Sequence, residues 1–200
     1  DDENVDPDTD TIAVTRTSGP RLLETNDAGT RVFVALGGAN QLAIIDTDDD
    51  MVEETVDTGG TDPRDVTVTD DRVLVANFGS GTVGVIDLTT SPPSLDSTIA
   101  VDQNPWSIVA DETTTPPLAA VANWSGGVSG SEGDLGSIVL INLNTLTVSE
   151  RFTVDSTPDG GPWGISKCES PPIIATNDGT DRTIVIVGGR ITIVQEGELP

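Results

Sequence analysis

Branched apolar residues alternate with polar or small residues in short runs along most of this chain. The clearest example lies between Arg72 and Trp106, where RVLVAN, TVGVID and STIAV place apolar side chains at every second position and are separated by Gly, Ser, Pro and Asn. A period of two is typical of β-strands that bury one face. The pattern therefore predicts an all-β chain.

The same group of strands recurs along the chain. Ala76-Asn77, at the end of one strand, corresponds to Ala35-Leu36, Ala122-Asn123 and Thr176-Asn177. A proline precedes each unit, at Pro20, Pro63, Pro105 and Pro162. The first three prolines recur roughly every 40 residues, and a Gly/Ser-rich insertion lengthens the last interval. Four strands in such a period are typical of a propeller blade.

One repeat has a family resemblance. The run VLVANFGSGTVGVIDL, followed by STIAV and NPWSIV, resembles the YVTN-type β-propeller repeat of prokaryotic surface proteins. The resemblance extends over nearly all the chain from about Ile12 onward. It implies a propeller fold, and it implies functions that range from adhesion, scaffolding and binding to catalysis.

The repeat predicts how the chain is divided. We expect an acidic tail at 1–10 and an all-β β-propeller at 11–200, with about four four-stranded blades near 20–58, 62–101, 105–154 and 162–195. The strand at 11–17 then has no blade of its own and becomes an added edge or closing strand. An alternative phase aligns IIATNDGTDRTIVIVGG with LLETNDAGTRVFVALGG and makes room for that strand in a last blade. The match of PWGI at 162–165 to PWSI at 105–108 favours the first division, with blade four at 162–195. This division implies either a small four-bladed ring with an added edge strand or part of a larger ring completed by other segments or subunits.

The charge is extreme for a folded domain, with 34 acidic residues against 9 basic ones and a net charge of −25. Disorder is one explanation of such a charge, but orderly β alternation argues against it beyond the first residues. Adaptation to molar salt is the explanation we favour, because the Debye length there falls to about 3 Å and carboxylates cease to repel one another. Since no basic patch is present, nucleic acid is not an expected partner.

The remaining composition bears on the compartment. The single cysteine, Cys168, cannot form an internal disulfide and is expected to be a buried small residue. The sequence shows neither a transmembrane run nor a signal peptide, and it opens at Asp1 without Met. We therefore expect a processed or excerpted chain from an extracellular or cell-surface protein.

The repeat phase places the proline-containing linkers and the loops between second and third strands on one rim of the propeller. Loops on a rigid frame commonly carry binding, so this rim is the candidate ligand surface. Its residues are Asp62, Arg64, Asp65, Asn77, Asn104, Trp106, Asn123, Trp124 and Trp163. A structural alternative applies to several of them, because Asn at a repeated turn position can bond the turn backbone. Likewise, Trp106 and Trp163 recur at equivalent places and are expected to pack between blades.

Two irregular segments suggest further sites. The insertion SGGVSGSEGDLG begins with Ser125 and Gly126 and is either a binding loop or a tolerated surface insertion. With Asn123 and Trp124 it also completes an N-x-S glycosylation sequence. On the opposite rim, the acidic run Asp46 to Asp50 could bind Ca²⁺, but it lacks the spacing of an EF-hand loop and is better explained as solvated surface.

The chain contains no histidine, which removes the usual general base and the Ser-His-Asp arrangement. Paired carboxylates, as in propeller glycosidases or lactonases, cannot be recognised among so many acidic residues. We therefore expect no enzyme, no cofactor and no metal. The favoured hypothesis is a non-catalytic extracellular propeller of a halophile that presents its rim loops to a protein or glycan partner. The alternatives are a virion spike or host-attachment protein of a halophilic virus, and a lactonase-like enzyme.

Overall fold

The computed structural model describes residues 18–124 and 136–153, together with the strands 164–169, 172–177, 182–187 and 190–195. These residues form four antiparallel sheets of four strands each, and within each sheet the strands lie in chain order. No helix that could span a membrane occurs in this part of the chain. The predicted tail at 1–10 and strand at 11–17 lie outside the described residues.

Each sheet is one predicted blade. Blade one contains β1 (Pro20–Thr25), β2 (Arg31–Leu36), β3 (Gln41–Asp46) and β4 (Met51–Asp57). Blade two contains β5 (Pro63–Val68), β6 (Arg72–Asn77), β7 (Thr82–Asp87) and β8 (Ser94–Ala100). Blade three contains β9 (Pro105–Asp111), β10 (Leu118–Asn123), β11 (Ser137–Asn142) and β12 (Thr147–Thr153). Blade four contains β13 (Gly164–Glu169), β14 (Pro172–Asn177), β15 (Arg182–Val187) and β16 (Arg190–Gln195).

The core lies between the blades. The two middle strands of a blade are apolar on both faces, whereas the outer strands β4, β8 and β12 alternate between exposed and partly buried residues. One apolar cluster joins blades one and two through Phe33, Ile44 and Val75, and another joins blades two and three through Leu74 and Val121. Burial of one face against each neighbour explains why the middle strands read as nearly continuous apolar runs.

The sheets pack in chain order around an axis. The first strand of each blade is innermost, since β5 contacts β1 and β9, and β9 also contacts β13. Hydrogen bonds cross between these inner strands: the Glu24 carboxylate accepts from the Val68 N–H at 3.1 Å, and the Thr67 hydroxyl accepts from the Ala110 N–H at 3.1 Å. Glu24 and Thr67 occupy the same repeat position. Radially arranged sheets with inner strands in succession are the architecture of a β-propeller, so the predicted fold is confirmed.

The turns between third and fourth strands explain the Asp or Asn that ends the third strand in blades one, two and three. The Asp46 carboxylate accepts from the Asp48 N–H at 2.8 Å, the Asp87 carboxylate from the Thr89 N–H at 2.7 Å, and the Asn142 side chain from the Asn144 N–H at 2.9 Å. A side chain that bonds the backbone two residues later forms an Asx turn. In 18–124 and 136–153 no group of three or more Asp, Glu, Cys or His side chains could hold a metal ion, so no calcium geometry supports the alternative proposed for the acidic run.

Candidate functional site

The linkers and the turns between second and third strands meet on one end of the blades, which we name the upper face. Each of the three linkers within the described residues ends in a residue with positive φ directly before the proline: Gly19, Asp62 and Asn104, at 56°, 48° and 52°. Their carbonyl oxygens accept hydrogen bonds of 3.0 Å from the N–H groups of Gly37, Phe78 and Trp124, respectively. The repeated bond fixes the residue after each second strand beside the linker of the same blade.

Arg64 is the centre of this face in blade two. Its guanidinium carbon lies 3.9 Å from the centroid of the Phe78 ring and 4.3 Å from that of the Trp106 ring. The two rings meet edge to face, with centroids 5.7 Å apart and planes at 79°. Contact of a cation with an aromatic face contributes about 0.5–2 kcal/mol, more as the site is desolvated. The Arg64 side chain therefore links the linker of blade two to the linker of blade three through the rings.

Trp124 extends this group along the face. Its ring centroid lies 5.8 Å from that of Trp106 and 6.3 Å from that of Phe78. We name Arg64, Phe78, Trp106 and Trp124 the aromatic–arginine cluster. The chain has only three Trp and three Phe. Half of its large aromatic rings thus gather at one place on the surface, where each is half-buried.

Charged groups border the cluster on the side of blade one. A carboxylate oxygen of Asp62 lies 3.4 Å from the Arg64 guanidinium, and its other oxygen lies 3.4 Å from that of Arg21. The Arg64 side chain is 22% exposed, and its Nε is buried without a hydrogen-bond partner. The stacking contacts therefore hold this end of the guanidinium, while Asp62 bonds a terminal nitrogen.

The equivalent position in blade one has no ring. Gly37 corresponds to Phe78 and Trp124, and a Cβ added there would lie 2.8 Å from the Arg21 Nε and 2.9 Å from an Asp62 carboxylate oxygen. Arg21 thus lies over Gly37 as Arg64 lies over Phe78. Because the side chain at this position is absent in blade one, the aromatic–arginine cluster ends at the Arg21 and Asp62 pair.

Several predicted rim residues have structural roles instead. The prediction that Asp65 belongs to the ligand-binding rim is wrong, because its side chain faces blade three and is buried. One of its carboxylate oxygens accepts from the Ser107 hydroxyl at 2.7 Å and from the Ile108 N–H at 2.9 Å. Burial raises the pKa of Asp65, and the hydrogen bonds from Ile108, Ser107 and Val66 offset only part of that rise. Asp65 therefore joins two blades and is not available to a ligand.

The recurrent asparagines are also structural. Asn77 is fully buried and donates from its amide nitrogen to the Thr58 carbonyl at 2.9 Å, which holds the linker that leads into blade two. Asn123 is fully buried as well, and its amide nitrogen lies 3.3 Å from the Val121 carbonyl. A buried amide has no room for a glycan, so the folded chain argues against glycosylation at Asn123. Asn104 provides the positive-φ residue of its linker.

Of the predicted binding residues, the structure brings together Asp62, Arg64, Trp106 and Trp124. Ser125, Gly126 and Trp163 lie outside the described residues. Sequence reasoning missed Phe78 and Arg21, although Phe78 follows Asn77 just as Trp124 follows Asn123. That shared position was the signal that could have identified it.

A second concavity lies at the opposite end of the first three blades, and none of the residues predicted to bind a ligand lines it. Its volume is about 440 Å³, and its walls include Glu24, Asp27, Phe33, Asp70 and Glu112. Two of these carboxylates serve the fold, because Glu24 accepts from the Val68 N–H and Glu112 from the Asp70 N–H. These two wall residues therefore take part in the hydrogen bonds that join successive blades.

Comparison with known proteins gives structural likeness only. No protein-family model and no curated protein matches the chain. Among solved structures, Kuenenia stuttgartiensis hydrazine synthase is similar with a TM-score of 0.70 and 20% identity, over 93% of this chain and 52% of that chain. Dihydro-heme d1 dehydrogenase NirN in complex with DHE is similar with a TM-score of 0.65 and 14% identity, over 92% of this chain and 38% of that chain.

These neighbours correct one expectation. Both are enzymes by name, so they contradict the prediction that a propeller of this kind is not an enzyme. The absence of histidine excluded one group of mechanisms and could not exclude catalysis on this fold. The chain spans about half the length of the first neighbour and less of the second. At such low identity the likeness shows the fold alone, and that fold is a β-propeller.

Proposed function

We propose that this chain is a ligand-binding β-propeller module that presents the aromatic–arginine cluster to a glycan-bearing partner outside the cells of an organism living in molar salt. The observation that carries the proposal is the gathering of Phe78, Trp106 and Trp124 around Arg64 on the upper face. The core does not need these rings, because Val, Ile, Leu and Ala fill nearly all of it.

The chemistry of the cluster fits a sugar ring. The half-buried rings of Trp106 and Trp124 form, with Phe78, an apolar surface that borders the Arg64 guanidinium, which suits a ligand that is apolar on one face and polar at its edge. Asp62 borders the cluster at Arg64, with Arg21 next to it, and both side chains can exchange hydrogen bonds with hydroxyl groups. Few polar groups around an apolar surface are typical of a site that fixes both the position and the orientation of a ligand.

The frame beneath the cluster is rigid. The N–H groups of Phe78 and Trp124 are bonded to the linkers at 3.0 Å, and the strands that precede them are buried on both faces. A site held by such elements loses little conformational entropy on binding. This supports binding as the role of the upper face.

The charge distribution supports the environment that we propose. In 18–124 and 136–153 every arginine lies within 3.4 Å of a carboxylate. With 34 acidic residues and only 9 basic ones, most carboxylates have no cationic side chain to pair with. Such a surface repels itself in dilute buffer and is stabilised by dissolved cations at high salt.

Calorimetric titration of the chain with a panel of neutral and acidic oligosaccharides, in about 3 M KCl, tests the proposal. We expect saturable binding of at least one sugar, and a loss of about tenfold in affinity for Trp106→Ala and for Trp124→Ala, as for truncation of aromatic anchors elsewhere. The matched control is Leu95→Ala, an exposed apolar residue of β8 that is remote from the cluster. Binding of no sugar in the panel, or equal binding by all variants, would contradict the proposal.

A further inference from the structure

Blade one exposes a face that blades two and three bury. We define the leading face of a blade as the side that faces the preceding blade in the chain. In blade two this side packs on blade one, and in blade three it packs on blade two. On the inner strand of blade one this face carries Leu23, which is 60% exposed, whereas the equivalent Val66 and Ile108 are 3% and 4% exposed. Leu23, a large apolar side chain on an inner strand, is therefore not covered by another blade, whereas its equivalents in blades two and three are.

The middle strands show a weaker form of the same difference. Val34 and Ile45 of blade one retain 7% and 8% exposure, and their counterparts Val75 and Ile86 in blade two are fully buried. The neighbouring Leu22 is 50% exposed, and the pairing of β1 with β2 is irregular between Pro20 and Leu23. Incomplete cover is thus greatest at the inner strand, which lies nearest the axis.

The hydrogen bonds between the inner strands of successive blades run in one direction along the chain, and this direction defines which surface fits the leading face. An acceptor on the inner strand of one blade takes the N–H on the inner strand of the following blade, as Glu24 does from Val68 and Thr67 from Ala110. Thr25 occupies the position of Val68 and Ala110 in blade one. The complement of the leading face is therefore the opposite face of another blade, with an acceptor at the Glu24 position.

We propose that a second copy of this chain covers the leading face of blade one with its own fourth blade. The strand order provides both sides of such a contact, because blade four packs on blade three through β13 and β9, which leaves its other side in the position of the face that blades one and two present to their followers. Two copies related by a twofold axis form two identical contacts of this type and close one ring. The contact continues the apolar interface already present between successive blades.

The test is the mass of the chain by multi-angle light scattering in about 3 M KCl, where repulsion between copies is screened. We expect the wild-type chain at twice its mass of 20.7 kDa. Leu23→Arg should give the single-chain mass at all concentrations measured. Leu23→Ser should dissociate at a higher concentration than the wild-type chain does and at a lower one than Leu23→Arg. The matched control is Leu95→Arg, on an exposed leucine of the outer strand β8, which should keep the double mass.

Circular dichroism of each variant shows whether its sheets are intact, and Leu23→Ser provides the answer if the arginine variant does not fold. A wild-type chain of single mass at all concentrations would overturn the proposal. So would a double mass that resists both substitutions at Leu23.

Discussion

Asp65 in blade two accepts a hydrogen bond of 2.9 Å from the backbone N–H of Ile108 in blade three. The same carboxylate oxygen accepts from the Ser107 hydroxyl at 2.7 Å, and the other accepts from the Val66 N–H at 2.9 Å. A buried carboxylate thus satisfies three donors at the contact of two blades. Together with the hydrogen bond from the Ala110 N–H to the Thr67 hydroxyl, this contact contributes to the cohesion of blades two and three.

Removal of this carboxylate is expected to destabilise the chain. Asp65→Ala leaves the buried N–H of Ile108 and the hydroxyl of Ser107 without their acceptor, and an unsatisfied buried donor costs about 1–3 kcal/mol. Urea unfolding at neutral pH and high salt measures the loss. Asp96→Ala, at an exposed carboxylate of β8, is the control and should change the free energy of unfolding little. Equal stability of the two variants would contradict the role given to Asp65.

The same residue predicts a pH dependence. Burial raises the pKa of Asp65 above the value of 3.8 for a free aspartate, so the folded chain holds this proton more tightly than the unfolded chain. Its contribution to stability is complete below pH 3.8 and falls as the pH rises through the folded pKa, after which it is constant. The difference in unfolding free energy between wild type and Asp65→Ala should therefore be larger in acid than at neutral pH. A difference that grows with rising pH would contradict this sign.

A glycine in β7 is expected to be required by the linker beside it. A Cβ at Gly84 would overlap the carbonyl oxygen of Thr58, which accepts the hydrogen bond from the Asn77 amide. Because the obstacle is backbone, Gly84→Ala should cost about 1–3 kcal/mol, as overpacking of a well-packed core does. The matched variant is Ala43→Gly, at the equivalent position of blade one, which removes a buried methyl without creating overlap.

Thermal unfolding of both variants, followed by circular dichroism, compares the two costs. Gly84→Ala should lower the melting temperature more than Ala43→Gly, although alanine is otherwise favoured over glycine in a strand. The reverse order would show that the linker moves away from β7 at little cost.

The fold is expected to depend on salt. With a net charge of −25 the folded chain concentrates carboxylates that the unfolded chain spreads apart, and screening over about 3 Å near 1 M salt relieves that repulsion. The β-sheet signal in circular dichroism should be lost on dilution from about 3 M to about 50 mM KCl and return on adding salt. Sucrose at the same osmolality as the KCl serves as the control, because sucrose does not screen charge. A signal unchanged in dilute buffer would contradict adaptation to salt.

The sequence predicted the sheets well because short runs of branched apolar residues are separated by turn residues, and the residues at strand ends repeat with the blades. It also predicted that Arg64, Trp106 and Trp124 share a face, since they occupy linkers and turns of known phase. It did not predict that Asp65 turns away from that face, because the direction of a side chain beside a bulge depends on the pairing of β5 with β6, whose register shifts between Pro63 and Asp65. Phe78 was missed because its equivalence to Trp124, each directly after a recurrent Asn, was not used.

The junction of a positive-φ residue with proline, seen at Gly19, Asp62 and Asn104, has a consequence for how such chains change over time. Each junction precedes a full sheet, and each makes the same backbone bond to the turn of that sheet. A gene segment cut at two such dipeptides therefore encodes one self-consistent module, and recombination there can add or delete a module without disturbing its internal hydrogen bonds. Copy number is then free to vary among descendants while the module itself is inherited intact.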